Sequence, residues 1–226
     1  MTSGSEPSTI GVLASGGLDS CILVGDLLRR ERPVQPFYIR TGLTWQGEEL
    51  PALRLFLQAM QTPLLKPLVI LDLPLEDLYG NHWSLTGENT PAADSPDEAV
   101  FLPGRNALLM IKAAVYCQLH GIPELAIAPL GTSPFEDAGP QFFREFEAAI
   151  NRGVDRRVKL LRPFGEIDKQ QVMKLGTGMP LQFTFSCIHP VGGLHCGQCN
   201  KCAERQHAFQ LVQRPDPTPY AFLTPS

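Results

Sequence analysis

One stretch constrains the fold more than any other. Ile10-Gly11-Val12-Leu13-Ala14 is an apolar run suited to one buried strand, Ser15-Gly16-Gly17 is a loop of small residues, and a helical pattern starts near Leu18. Such a loop at a helix N-terminus presents backbone N–H groups and the positive end of the helix dipole to an anion. Gly16 and Gly17 let the backbone come close to a phosphate, and Ser15 and Ser20 add hydroxyl donors. Asp19 would repel a bare phosphate, so it belongs beside a metal ion or against an amide that shapes the loop. The alternative is a Gly/Ser turn that binds nothing.

The chain then alternates. Leu18 to Arg30 is apolar at Leu18, Ile22, Leu23, Leu27 and Leu28, a helical period. Val34 to Ile39 reads as strand two, Glu48 to Met60 as a helix, Leu68 to Leu73 as strand three. Ala107 to Leu119 reads as a helix, Leu125 to Pro129 as strand four, Gln141 to Ile150 as a helix and Val158 to Leu161 as a short strand. Ile167 to Leu175 closes the series as a helix capped by Asp168. The pattern predicts an α/β fold, a doubly wound parallel sheet with helices on both faces. Ligands in such sheets bind beyond the carboxyl ends of the strands, at the switch point, where the Ser-Gly-Gly loop would lie.

The 226 residues suit one sizeable α/β domain with a small appendage. No run is long enough to cross a bilayer. Met1 to Thr9 is polar, without an apolar signal core, and reads as a loose arm. A cytoplasmic protein with no membrane partner is expected. The net charge of −4 argues against direct nucleic-acid binding. Pro74 to Val100 is long and poorly periodic, equally a lid or binding loop or a solvated excursion. Arg214 to Ser226 holds four prolines and is expected to run extended over the surface.

Two cations stand at predicted helix starts, Arg105 and Lys169. The dipole disfavours a cation there unless an anion binds nearby. For Arg105 the rival reading is a solvent-facing side chain.

Cys187, Cys196, Cys199 and Cys202 form C-x8-C-x2-C-x2-C. In a cytoplasmic chain this clustering argues for metal rather than disulfides. Four thiolates suit a structural zinc (Zn²⁺) site, and the rival is an iron–sulfur cluster. His189, His195 and His207 are spare ligands to a shell that is already complete.

Ser15-Gly16-Gly17-Leu18-Asp19-Ser20 is neither G-x-x-x-x-G-K-[ST] nor G-x-G-x-x-G. It resembles the PP-loop of the N-type ATP pyrophosphatases, the HUP-like group that includes GMP synthetase, asparagine synthetase, NAD synthetase and RNA sulfur-transfer enzymes. Further matches follow in order: Phe101-Leu102-Pro103-Gly104-Arg105-Asn106, Ile167-Asp168-Lys169, then Cys187 with Cys196-Gly197-Gln198-Cys199-Asn200-Lys201-Cys202 and Arg205. Together they resemble the 7-cyano-7-deazaguanine synthase family of queuosine precursor synthesis.

The resemblance implies a PP-loop α/β domain over 10–180, a small zinc-binding part over 181–213, an N-terminal arm over 1–9 and a Pro-rich tail over 214–226. It implies ATP at Ala14, Ser15, Gly16, Gly17, Leu18, Asp19, Ser20, Cys21, Ile22, Leu23 and Val24, with Mg²⁺ on the triphosphate. Asp19, Ser20, Arg105 and Lys169 are the implied catalytic residues, and the four cysteines the metal ligands. The implied reaction adenylates the carboxylate of a deazapurine, 7-carboxy-7-deazaguanine, for amidation by ammonia and conversion to the nitrile. Members of the family are often dimeric, but no feature here shows a homodimer.

The sequence departs from the family at Arg40-Thr41-Gly42-Leu43, where Asp-Tyr-Gly-Gln is usual. It departs again at Phe135-Glu136-Asp137-Ala138-Gly139-Pro140, where Tyr-Pro-Asp-Cys-Arg-Pro is usual near the deazaguanine. These changes leave open a paralogue acting on a different carboxylate or amide. RNA sulfur transfer and a non-catalytic nucleotide-binding module are further alternatives. The acidic balance and the complete cysteine shell argue against sulfur transfer, and the intact loop, Arg105 and Lys169 against the module.

Overall fold

The computed structural model describes residues 7–222. Five parallel strands form one sheet in the order β3-β2-β1-β4-β5. They are β1 (Ile10–Leu13), β2 (Val34–Arg40), β3 (Val69–Asp72), β4 (Glu124–Ala126) and β5 (Lys159–Leu161). Ile10 registers with Val34 on one side and Glu124 on the other. The chain winds outward from β1 to β3, then restarts at β4 on the other side of β1, so the switch point lies between β1 and β4. The doubly wound parallel sheet expected from the alternation is what forms.

The helices are α1 (Leu18–Arg29), α2 (Gln46–Ala59), α3 (Glu76–Tyr79), α4 (Trp83–Thr86), α5 (Arg105–His120), α6 (Pro140–Ile150), α7 (Lys169–Leu175) and α8 (Asn200–Leu211). One core lies between the sheet, α1, α2, α7 and α8, where Val12, Ile22, Phe56, Val172 and Phe209 meet. The other lies under α5 and α6, where Leu13, Phe37, Met110, Cys117 and Phe143 pack. Strand β1 is buried on both faces, which is why its sequence is a continuous apolar run. Its alternate residues feed the two cores. At Gly11 a Cβ would stand 2.8 Å from the Phe37 ring and 3.1 Å from Cys117 Sγ, so glycine lets α5 settle on the sheet.

A third core holds the four cysteines, Leu43, Trp45, Leu102, Phe185 and Ile188. The segment 74–100, which the sequence left open, supplies one of its walls. Trp83 stacks on Trp45 at 5.9 Å, and Asn200 donates backbone and side-chain N–H to the carbonyls of Pro91 and Ser95. The tail is also more than a surface strand. Ala221 and Phe222 donate to the carbonyls of His195 and Cys196, and Thr218 is buried against Arg205. Residues 214–222 therefore lie across the cysteine-bearing region. Most of the arm expected over 1–9, and positions 223–226, lie outside the described residues. No helix of the described residues is long and apolar enough to cross a membrane.

Candidate active site and metal centre

A cleft of about 530 Å³ opens at the carboxyl ends of β1, β2 and β4. Its floor is the loop from Ala14 to Ser20, and Arg105, Lys169 and Ser186 reach it from three other elements. Ser20 holds the loop's shape. Its Oγ accepts from Ser15 N at 3.2 Å and donates to Gly17 O at 3.2 Å. Gly16 has φ +83°, and a Cβ there would meet the Glu49 carbonyl at 3.0 Å, so this corner of the loop requires glycine. Helix α1 begins at Gly17 with no side-chain cap. Its first-turn N–H groups are thus left for an anion. Cys21, Ile22, Leu23 and Val24 turn into the core and do not line the cleft.

Helix α5 also starts without a side-chain cap, at Gly104 with φ +72°. Arg105 lines the cleft beside it, and its buried Nε has no hydrogen-bond partner among the described residues. That unpaired donor fits an anionic ligand better than a solvent-facing side chain.

Lys169 is placed differently from the sequence argument. Asp168 caps α7 in a capping box with Gln171, so the helix start is already satisfied. Lys169 Nζ donates to Asp19 Oδ1 and Oδ2 at 2.9 and 2.7 Å and contacts Glu204 Oε1 at 3.0 Å. Two carboxylates offset the cation. Burial alone would lower the Lys169 ammonium, but Asp19 and Glu204 outweigh it and hold it above the ordinary lysine value. Asp19 accordingly faces the Lys169 ammonium.

Glu49, on α2, forms part of the cleft wall and accepts from the Tyr38 hydroxyl at 2.6 Å. Burial pushes its carboxyl up to about 7 against the opposing pull of Tyr38, Arg105 and Trp45. Of the two departures, Arg40 lies outside the cleft, paired with Asp72 at 2.6 and 2.9 Å, whereas Thr41 and Leu43 line it. Ala138 lines it too, while Asp137 Oδ1 accepts from Asn106 Nδ2 at 3.0 Å and so steadies α5.

Sequence reasoning passed over Glu49 and Glu204 as site residues, and it met Lys201 only inside the cysteine motif. Glu204 Oε2 is 2.6 Å from Lys201 Nζ. An acid and a base three residues apart, beside the cysteines, were the available signal.

The four Sγ atoms of Cys187, Cys196, Cys199 and Cys202 all lie within 4.8 Å of one another, and all four side chains are buried. Cys187 and Cys199 are 3.8 Å apart and Cys196 and Cys202 3.9 Å, far beyond a disulfide bond. A tetrahedron with metal–sulfur bonds of about 2.3 Å has an edge of about 3.8 Å. The amides of Cys196, Gly197 and Cys199 point at these sulfurs at 3.3–3.4 Å, as suits thiolates. The residues fit one metal ion, and a cluster with several irons would spread them further. His195 is not a ligand here, because its Nε2 accepts from Ser186 N at 3.0 Å. Gly197 has φ +84°, and a Cβ would run into the Phe222 carbonyl, so glycine is required at this turn.

Residues 9–213 match the family described as "Queuosine biosynthesis protein QueC". The chain is 32% identical over 208 residues to 7-cyano-7-deazaguanine synthase 1 of Desulfitobacterium hafniense, covering 90% of this chain and 92% of that one. It is 28% identical to the 7-cyano-7-deazaguanine synthase of Desulfotalea psychrophila, covering 92% and 97%. Against the synthase of Saccharolobus solfataricus, also at 28%, it spans 47% of the longer relative. Among solved structures it is similar to NMN synthetase from Francisella tularensis at 15% identity and TM-score 0.46, over 94% of this chain and 79% of that one; likeness at this level informs neither ligand nor reaction. On the sequence match over nearly its whole length, the chain belongs to the QueC family of queuosine biosynthesis proteins.

Proposed function

We propose that this protein is an ATP-dependent carbon–nitrogen ligase that converts 7-carboxy-7-deazaguanine to 7-cyano-7-deazaguanine. The observation that carries the reading is one cleft uniting the uncapped start of α1, Arg105 and Lys169 in a chain whose relatives are named for that product. The loop 14–20 takes the triphosphate on its N–H groups, with the Ser15 hydroxyl as an added donor and Ser20 holding the loop in shape. A substrate carboxylate oxygen attacks the α-phosphorus, the bond to the β-phosphate oxygen breaks, and pyrophosphate leaves. Arg105 and Lys169 neutralise the charge that develops on the phosphates. Ammonia then attacks the acyl carbon, loses a proton and expels AMP. A second ATP activates the amide oxygen in the same way, and loss of AMP and two protons leaves the nitrile.

Mg²⁺ would come with the triphosphate and offset its charge, and Asp19 is the loop carboxylate that would help hold it. Zinc is the ion we assign to the four cysteines, where it supplies structure rather than chemistry, since a closed thiolate shell leaves no open position. The division into a 10–180 catalytic domain, a 181–213 metal-binding part and a 214–226 tail is part of this reading.

The test is incubation with 7-carboxy-7-deazaguanine, Mg-ATP and ammonium. Pyrophosphate, AMP and the amide and nitrile masses are expected, and no AMP above the no-substrate control would sink the reading. A second reading, a paralogue with another carboxylate or amide substrate, draws on Ala138 in the cleft wall where the family carries a thiol followed by an arginine. AMP formed only with a different carboxylate would favour it. RNA sulfur transfer has little support, because all six cysteines are buried and four converge on one point.

A further inference from the structure

The N-terminal half of α8 extends the Lys169–Asp19 pair into a longer charge bridge, through two residues that the reaction above does not use. Glu204 divides its carboxylate between two lysines: Oε1 lies 3.0 Å from Lys169 Nζ and Oε2 lies 2.6 Å from Lys201 Nζ. Lys169 in turn meets Asp19 at 2.7 Å. The four groups form the line Lys201–Glu204–Lys169–Asp19, and all four line the cleft beside the Ser-Gly-Gly loop. Two positive and two negative groups alternate, so the line is neutral overall and no charge in it is left alone.

The line begins at the metal centre. Cys199 is the N-cap of α8 and Cys202 lies in its first turn, so the cysteines fix the azimuth at which Lys201 and Glu204 leave the helix. A lysine stem has four rotatable bonds, and an ammonium left free at the cleft mouth would sample many positions. Glu204 removes that freedom from two ammonium groups at once and sets both on one side of the cleft. Lys169 and Lys201 come from elements distant in sequence, and this carboxylate contacts both.

We infer that Glu204 is a positioning residue that holds Lys169 and Lys201 as a paired cation for the departing pyrophosphate. The inference rests on the ligase reading. Lys201 becomes the second phosphate-side cation, and Asp19 is the group that releases Lys169 when the nucleotide arrives. Charge aimed in advance acts on the transition state, where pyrophosphate gathers negative charge, more than on ATP binding.

The experiment compares the wild type with Glu204→Gln, Lys201→Met, Lys169→Met and the Glu204→Gln/Lys169→Met double variant, each checked for metal content and circular dichroism. Pyrophosphate release under saturating acceptor gives kcat and the ATP KM, and titration calorimetry with inorganic pyrophosphate gives binding. Glu204→Gln and Lys201→Met are each expected to lose roughly tenfold in kcat, with the ATP KM within about twofold and metal retained. The double variant should lose less than the product of the two single losses, because Glu204 acts in part through the Lys169 ammonium and in part through Lys201. Wild-type kcat in both Glu204→Gln and Lys201→Met, or losses that multiply in the double variant, would overturn the inference while leaving the ligase reading intact. A wild type that neither releases nor binds pyrophosphate would bring down the ligase reading itself, and this inference with it.

Discussion

Asp19 and Lys169 stand 150 positions apart and meet at 2.7 Å. Each residue stands out on its own in the sequence. Asp19 is an acid in an anion loop, and Lys169 is a base at a helix start. Nothing in the sequence joins them, because the pairing depends on how α7 crosses α1. Replacing Asp19 with Ala should therefore cost more than one loop contact, since it also frees the lysine. We expect pyrophosphate release to fall by about a hundredfold or more, and a rate near wild type in a coupled pyrophosphate assay would contradict the assignment. Glu49 yields a prediction in pH. Its ordinary value is 4.5 and burial raises it to about 7 in the folded chain. Between those values the folded state binds more proton than the unfolded state, so stability falls as pH rises through the window. Glu49→Gln lacks that titration. It should match the wild type near pH 4.5 and exceed it by roughly 1–3 kcal/mol at pH 8, read from urea midpoints. Equal pH slopes in the two proteins would refute this.

At the scale of elements, the five strands were legible because each is an apolar run, the clearest being those buried on both faces of a parallel sheet. The long helices were legible from their period, and the Asp168 cap from its residue type. The segment 74–100 was not. Its helices, α3 and α4, are four residues each, too short to show a period, and its contacts reach residues far from it in the chain, from Trp45 on one side to Asn200 on the other. The tail lies extended along the surface as expected, but its anchoring was not legible, for a related reason. Prolines predict extended backbone, but they do not say that Arg205, fully buried, will need Thr218 and Asp216 as partners. A test at this scale is Gly11→Ala, which forces a methyl against Phe37 and Cys117 between β1 and α5. Overpacking of this kind costs about 1–3 kcal/mol. A denaturation midpoint unchanged from the wild type would show that α5 is not seated as described.

For the molecule as a whole, the cleft and the cysteine centre form one mechanical unit. Phe185 N donates to Gly16 O at 2.8 Å, and Cys187 follows two residues later. Glu204, two residues beyond Cys202, contacts Lys169. The Ser-Gly-Gly loop is thus tied to the cysteine centre from both sides. Metal analysis should return about one zinc per chain, and iron with sulfide would reject that assignment. Stripping the ion with a chelator should abolish pyrophosphate release while most of the far-ultraviolet circular dichroism survives, because the sheet and its two main cores do not depend on the thiolates. A stripped protein that still turns over at full speed would break the link.

The knot also gathers stretches that are far apart along the chain: Pro91 to Ser95, the cysteine loop, and Asp216 to Phe222. On the zinc reading, a single ion would govern how three separate stretches of polypeptide come to rest. A cell starved of that ion would accumulate a chain that looks folded to most probes yet has slack ends and an untensioned nucleotide floor, and supplying the metal after synthesis should be enough to draw it taut.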